Sequence, residues 1–292
     1  MAKLLRSNGA PLGAQITLFP GNRLQFKVSG LGPHRKHLVL RSTDSVLSVV
    51  PLRVDDRRAE QVLRLEVQDH SIVSRRVVHL DAYVTDAQGR LQHKDSNTAR
   101  LTVELEPRLK LPEADTEAGI LARMLIVENA APSHPKFVSL DESLESMQWM
   151  VHVLRNRLKL GPQHFSARGA STLTTLIKAQ RQVEGFEQFP QLAPAQNVTL
   201  NAILNLAHDG ADNRYRSHQI FVEHAIAVSK GTKAGADPCP KKLYAWKTEG
   251  SDSPGHNFVK FRAKGGQDFY TLTDAFLAQL TPNTSGALEA RR

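Results

Sequence analysis

The sequence contains a single cysteine, no long hydrophobic run and no recognisable leader. One Cys among 292 residues excludes an intramolecular disulfide, and with it a disulfide-rich scaffold. The most apolar stretch, 119–127, contains Arg123 and is followed by Glu128, so it falls short of the roughly 20 apolar residues that a membrane-spanning helix needs. The N-terminal residues lack the apolar segment of a secretory signal peptide. We therefore expect synthesis in the cytoplasm, no membrane span and a core made by ordinary apolar burial.

The charge balance is basic, with 38 Lys and Arg residues against 29 Asp and Glu residues and a formal net charge of +9. A basic surface favours an anionic partner, such as a nucleic acid, an acidic membrane surface or an anionic polysaccharide. The basic residues are scattered along the chain, however, which is more typical of an ordinary solvated surface. Charge alone therefore selects no partner.

Residues 22–111 alternate apolar and polar side chains in short runs, which predicts about seven half-buried strands. No helical segment separates these runs, a pattern that favours an antiparallel β-sandwich of immunoglobulin-like type. The Cys pair and buried Trp of antibody domains are missing, so the resemblance concerns architecture alone. Residues 1–21 are interpreted as an N-terminal arm.

Residues 112–280 have a different periodicity, and Pro107 and Pro112 mark the boundary before them. Apolar residues now recur at spacings of three and four, which predicts helices. The predicted helices cover about 14 residues from Glu117, then a helix from Ser139, and 172–182, 197–206 and 217–230. Residues 281–292 are interpreted as a C-terminal tail. The fold class predicted for the whole chain is α+β multidomain.

Glu128 occupies an unusual position, because its spacing from Ile120, Leu121 and Met124 puts the carboxylate on the apolar face of the first predicted helix. Burial there raises the pKa of the carboxyl group and keeps it partly protonated near neutral pH, as a general acid requires. The alternative is a helix-end Glu that pairs with a nearby Arg, either Arg123 or Arg155.

Several strings in the second region occur in the order found in one family of bacterial enzymes. They are LARMLIVENA at 121–130, ESM at 145–147 leading to VLRNRL at 153–158, STLTTLI at 171–177, QVEGF at 182–186, and more weakly ADPC at 236–239 and LYAW at 243–246. Together they resemble, over about residues 120–260, the cell-wall hydrolase family of the spore-cortex-lytic SleB type. The family's Glu-Gly-Gln string is altered here, with Ser146 and Met147 after Glu145.

The resemblance implies a mainly α-helical, lysozyme-like domain that cleaves the glycan strand of peptidoglycan. It implies that Glu128 is the catalytic acid, with Glu145 as a second carboxylate near the start of the next helix. The implied substrate-binding residues have amide or aromatic side chains: Gln182, Phe186, Tyr244 and Trp246. Position alone leaves other roles open, since Glu145 also suits a helix N-terminus and each aromatic residue also suits the core.

Other chemistry has little support in the sequence. A cysteine amidase would need Cys239 as nucleophile and His256 as base, but Cys239 lies between two prolines and cannot begin a regular helix that would lower its pKa. The metal-binding patterns HExxH and HxH are absent, and no Gly-rich phosphate loop precedes a helix. We expect no metal and no cofactor.

The sequence thus predicts a muramidase or lytic transglycosylase whose partner is peptidoglycan and not nucleic acid. Without a signal peptide, it is interpreted as a delivered antibacterial toxin or lysin that acts at the cell wall or in the periplasm of a target cell. Such a protein implies a secretion-machine component and an immunity protein as further partners. The alternative function is a non-catalytic wall-binding or structural adaptor, which the altered residues after Glu145 favour.

Overall fold

The computed structural model describes residues 3–6, 9–30, 37–55, 60–68, 72–86, 88, 90 and 99–280. It divides the chain into two compact units, Met1–Leu109 with Leu206–Arg216, and Lys110–Asn205 with Ser217–Arg292. We call them the first and second unit. The predicted tail at 281–292 and part of the predicted arm at 1–21 lie outside the described residues.

The first unit consists of two four-stranded sheets. Its strands are β1 Lys3–Arg6, β2 Gln15–Leu18, β3 Arg23–Ser29, β4 His37–Ser42, β5 Leu47–Asp55, β6 Glu60–Val67, β7 Arg76–Thr85 and β8 Ala99–Leu105. One sheet has the order β1-β3-β6-β5 and the other β2-β8-β7-β4. The strand-rich first region predicted from alternation is confirmed.

Period-two alternation gives these strands one buried face. Along β6 every second residue is buried, and Leu63 and Leu65 share a core with Val103 and Leu80 of the other sheet. One strand pair differs from the predicted antiparallel arrangement, because β2 runs parallel to β8. Strands β1 and β2 lie within the stretch predicted as an arm, where they pair with β3 and β8. Each has only four residues, too few for alternation to identify.

A segment distant in sequence completes the first unit. The side-chain amide of Asn22 donates to the backbone oxygen of His208 at 2.9 Å, and the N–H of Leu109 donates to Nε2 of His208 at 2.9 Å. At Gly210 an added Cβ would lie 1.9 Å from the backbone oxygen of Thr17, so only glycine permits this close approach. The first unit therefore includes residues beyond the single boundary expected near residue 112.

The second unit contains a helical region and a small C-terminal sheet. Its helices are α1 Glu117–Glu128, α2 Leu140–Leu160, a 3₁₀ helix at Pro162–Phe165, α3 Leu173–Ile177, α4 Pro194–Ala207, α5 Tyr215–Ser229 and α6 Asp274–Leu280; its strands are β9 Ala245–Thr248, β10 Phe258–Lys264 and β11 Gln267–Leu272. The terminal residues of α4 and α5 belong to the first unit. None of the described helices combines the length and apolarity needed to cross a membrane.

Local signals define where α1 and α2 begin. The hydroxyl of Thr116 accepts from the N–H of Gly119 at 3.0 Å, and the hydroxyl of Ser139 accepts from the N–H of Glu142 at 3.1 Å. The helix predicted at 172–182 is shorter, because the chain leaves α3 after Ile177 and Arg181 has φ of 62°. The three strands of the second unit form an antiparallel sheet in the order β10-β11-β9, and its first strand, β9, begins within the string LYAW at 243–246.

Candidate active site

A cleft of about 650 Å³ lies in the second unit beside the end of α1. Its lining comes from α1, α2, α4, β9, β11 and two connecting segments: Glu128, Arg157, Gln180, Arg181, Gln182, Val183, Glu184, Glu187, Gln196, Ala245, Trp246, Lys247, Thr248, Pro254 and Gln267. A second cavity of about 470 Å³ adjoins it and shares Glu128, Thr248 and Gln267 as lining residues. Glu128 thus borders both cavities.

The C-terminal sheet holds Glu128 in place. The indole N–H of Trp246, on β9, donates to Oε2 of Glu128 at 3.1 Å, and the side-chain amide of Gln267, on β11, donates to the backbone oxygen of Glu128 at 2.6 Å. These strands are neighbours, with Gln267 opposite Thr248 and Trp246 opposite Phe269. Glu128 is therefore held both by the helix that ends with it and by the C-terminal sheet.

The environment of Glu128 favours its protonated form. Burial raises the pKa of Glu128 and is the largest influence on it. The hydrogen bond from Trp246 opposes this rise by stabilising the carboxylate, whereas the negative charge of Glu184 adds to it. The net shift is upward, which is the direction predicted from the apolar face of the helix.

The arginines considered as alternative partners do not form an ion pair with Glu128 within the described part of the chain. Nη1 of Arg123 donates to the backbone oxygens of Pro112 and Gly119, each at 2.9 Å. Arg155 is exposed on α2 and does not line the cleft. Glu128 therefore keeps its carboxyl group available to the cleft.

Glu145 is not brought next to Glu128 in the cleft. Its side chain is 49% exposed, and its Oε2 lies 3.1 Å from Nζ of Lys264. Two other carboxylates line the cleft instead, Glu184 and Glu187. Glu184 lies within the string QVEGF at 182–186, which is the sequence signal available for this residue.

The implied substrate-binding residues separate into two pairs. Gln182 and Trp246 line the cleft. Phe186 is fully buried and stacks on Phe189 with ring centroids 6.0 Å apart, while Tyr244 is 6% exposed and stacks on Phe165. The structure therefore places Phe186 and Tyr244 in the core, because their rings are covered by other aromatic rings and are not open to a ligand.

Arg157 is a cleft residue that the sequence reasoning missed. Its Nε donates to the backbone oxygen of Tyr244 at 2.6 Å and its Nη1 donates to Oε1 of Gln182 at 2.8 Å. The guanidinium lies over the rings of Phe165 and Trp246, 5.3 and 5.9 Å from their centroids. Burial lowers the pKa of Arg157 to about 10, so the group remains charged at neutral pH. The string VLRNRL at 153–158 was the signal available for it.

The residues of the alternative amidase lie in different surroundings. Cys239 is 3% exposed and its backbone N–H donates to Asp237 at 3.0 Å, whereas His256 is exposed in the loop before β10. No hydrogen bond between the two residues occurs in the structure as described. Likewise, no group of three or more His, Cys, Asp or Glu side chains among the described residues is arranged to hold a metal ion.

Comparison with known proteins adds little. No protein-family model and no curated protein matches this chain. The structure of Bacteroides thetaiotamicron EndoBT-3987 with Man5GlcNAc product matches 38% of this chain and 32% of its own length, at 7% identity and a TM-score of 0.26. That of the protocadherin gamma B7 extracellular cadherin domains 1-4 matches 36% and 25%, at 12% identity and a TM-score of 0.21. The chain spans about a third and a quarter of these two proteins, and neither similarity is strong enough to indicate fold or function.

Proposed function

We propose that the second unit cleaves the glycan strand of peptidoglycan, with Glu128 as the general acid. The observation that carries the proposal is a carboxyl group whose pKa is raised by burial and which borders two adjoining cavities. Such a group stays protonated to higher pH than an exposed carboxyl group, as a general acid requires, and the adjoining cavities leave room for sugar units along a strand. The resemblance of 121–130 to the wall-hydrolase family supports the same role for Glu128.

The hydrogen bond from Trp246 distinguishes the two oxygens of Glu128. Because the indole N–H donates to Oε2 of Glu128, we place the acid proton on Oε1 in the proposed reaction. In the proposed reaction Oε1 gives this proton to the glycosidic oxygen as the bond to the anomeric carbon breaks. The resulting carboxylate is stabilised by the same indole N–H, and it then accepts a proton from the attacking water or sugar hydroxyl.

A second carboxylate is available in the cleft. Since Glu145 is exposed and paired with Lys264, the proposal assigns it no contact with substrate. Glu184 lines the cleft and influences the charge of Glu128. We infer that Glu184 orients the attacking water or stabilises the oxocarbenium-like transition state. A muramidase would use water as nucleophile, and a lytic transglycosylase would use a hydroxyl of the substrate.

The proposal extends to the architecture and setting of the protein. It treats the first unit as an immunoglobulin-like docking or wall-binding module and the second unit as lysozyme-like. The protein would then be an antibacterial toxin or lysin delivered to the cell wall or periplasm of a target cell. A secretion-machine component and an immunity protein would be its protein partners, and its basic charge suits an anionic wall polymer.

One observation favours a second candidate, a non-catalytic adaptor that binds the wall. Where the resembled family has Gly and Gln after its second Glu, this chain has Ser146 and Met147, and both side chains are buried. Because both side chains are buried, neither can contact a glycan in the cleft. An adaptor would bind walls without releasing soluble fragments.

The substitution Glu128→Gln tests the proposed function. The amide cannot donate the acid proton, so we expect the rate of turbidity loss of purified cell walls to fall roughly 10²–10⁴-fold. Glu117→Gln, the same change at the exposed start of α1, is the matched control, and Glu145→Gln should retain most activity. Circular dichroism checks that each variant is folded.

Three outcomes of this experiment are distinct. Near-normal cleavage by Glu128→Gln would remove Glu128 from the mechanism. Wall binding by the unmodified protein without any cleavage would support the adaptor. If cleavage occurs, mass spectrometry of the released fragments identifies the reaction, because an anhydro product is lighter than the hydrolysis product by one water.

A further inference from the structure

Arg157 is a charged group inside the cleft that lacks a counter-ion. No Asp or Glu side chain among the described residues forms an ion pair with it, although Glu184 and Glu187 line the same cleft. Both of its hydrogen bonds go to neutral acceptors, the Tyr244 backbone and the Gln182 amide. Taking a guanidinium out of water is costly unless an anion compensates for the lost hydration.

The guanidinium is held in a fixed orientation with donors to spare. Gln182, which accepts from Nη1 of Arg157, is itself anchored by donating to the backbone oxygen of Phe165 at 2.5 Å. The rings of Phe165 and Trp246 restrict the plane of the guanidinium. Nη2 donates to no residue that the structure describes. A planar, preorganised fork with free donors is suited to a carboxylate.

The surroundings of Arg157 strengthen this reading. Arg181 and Lys247 are exposed and line the same cleft, so two further cations face a ligand bound near Arg157. Trp246 contacts both Arg157 and Glu128, because its ring lies against the guanidinium and its N–H donates to the carboxyl group. A ligand group held by Arg157 would therefore lie next to the sugar unit on which the acid acts.

We propose that Arg157 binds a carboxylate of the glycan substrate and makes the cleft selective for strands that carry acidic groups. The inference rests on the proposed function for the identity of the polymer. A peptidoglycan strand offers two sources of carboxylate. One is the lactyl group of N-acetylmuramic acid, which is free only where the peptide stem has been removed, and the other is the stem peptide itself.

Calorimetric titration of the full-length protein tests the proposal, with Glu128→Gln present throughout so that the ligands stay intact. Three tetrasaccharides of alternating N-acetylglucosamine and N-acetylmuramic acid are compared: one with free lactyl carboxylates, one with lactyl carboxamides and one with peptide stems. We expect a carboxylate ligand to bind roughly 10- to 100-fold more tightly than the carboxamide, as a charge-assisted hydrogen-bonded pair does. The tighter of the free-acid and stem-bearing ligands identifies the source of the carboxylate.

Variants assign this preference to Arg157. Arg157→Met should bring the carboxylate and carboxamide ligands to equal affinity, whereas Arg155→Met, at an exposed position on the same helix, should keep the preference. Arg157→Lys keeps the charge but loses the planar fork, so it should retain only part of the preference, and it decides the question if Arg157→Met does not fold.

The proposal is overturned if the parent protein binds carboxylate and carboxamide equally, or if either Arg157 variant keeps the full preference. Its failure is distinguishable from failure of the proposed function. If Glu128→Gln still cleaves walls, Glu128 is not the general acid, but a preference of Arg157 for carboxylate ligands is unaffected. Conversely, if the preference for carboxylate ligands does not depend on Arg157, this inference is wrong, and the proposed role of Glu128 as general acid is unaffected.

Discussion

Two cleft residues influence the protonation of Glu128 in opposite directions. The N–H of Trp246 stabilises the carboxylate and lowers the pKa of Glu128, whereas the charge of Glu184 destabilises the carboxylate and raises it. A general acid works only while it is protonated, so activity should fall as pH rises through the pKa of Glu128. The pH at which activity falls, the alkaline limb of the rate–pH profile, therefore reports the pKa of Glu128.

We expect Trp246→Phe to raise the pKa of Glu128 and move the alkaline limb of the wall-cleavage profile to higher pH. Glu184→Gln should lower the pKa and move the limb to lower pH, whatever either change does to the maximal rate. Glu187→Gln is the control, because Glu187 lines the cleft without influencing the pKa of Glu128. The profile of rate against pH gives the limb directly, and shifts of equal sign in the first two variants would contradict the assignment of the acid.

The first turn of α1 shows how packing at one end of an element can position a functional group at the other. Gly119 lies where an added Cβ would be 1.9 Å from the backbone oxygen of Glu113. The segment before the helix therefore packs directly against the first turn. Since Glu128 ends the same helix, this contact contributes to the placement of the Glu128 side chain.

We expect Gly119→Ala to destabilise the protein by about 1–3 kcal/mol, because the added methyl forces backbone atoms apart. Helix propensity alone predicts the opposite sign, a gain of about 1 kcal/mol for alanine over glycine. The neighbouring change Ala118→Gly is the control and should cost up to about 1 kcal/mol. Urea unfolding measures both changes. A more stable Gly119→Ala variant would show that the segment before α1 is not held against it.

At the scale of the whole molecule, the first unit is built from two separate segments of the chain, Met1–Leu109 and Leu206–Arg216. Every residue that lines the cleft belongs to the second unit, whereas Leu206–Arg216 belongs to the first, where His208 bonds to Asn22 and Leu109. A fragment that begins at residue 110 keeps the cleft but deprives this segment of most of its partners. The cleft residues therefore belong to one unit, but cutting the chain at one position does not separate the two units.

We expect the fragment 110–292 to cleave isolated walls, because it retains all groups proposed to act on substrate. In limited proteolysis, trypsin should cut this fragment after Arg214 or Arg216 faster than it cuts the full-length protein, since Leu206–Arg216 has lost its hydrogen bonds to Asn22 and Leu109. The full-length protein digested in parallel is the control. A folded fragment without activity would show that the first unit takes part in the reaction and not only in docking.

Part of the architecture could be predicted from the sequence, because it depends on local periodicity. Alternation identified β6 and its buried face, and apolar residues at spacings of three and four predicted α1 and α2 close to their observed starts. The position of Glu128 on an apolar helix face was enough to predict that burial raises its pKa. Short or fully buried strands escaped detection, since all six residues of β11 are buried and leave no alternation.

The sequence by itself determined the strand-rich and helical regions and the most unusual carboxylate, because each depends on neighbours within one element. Only the tertiary structure decided what surrounds that carboxylate. Trp246 lies 118 positions from Glu128, and no periodicity links residues so far apart. Similarly, residue type cannot distinguish an aromatic ring in a cleft from one in the core, which is why Phe186 and Trp246 were predicted alike and lie in different places. Long-range packing also distinguished Arg157, because only the folded structure shows that no described Asp or Glu side chain forms an ion pair with it.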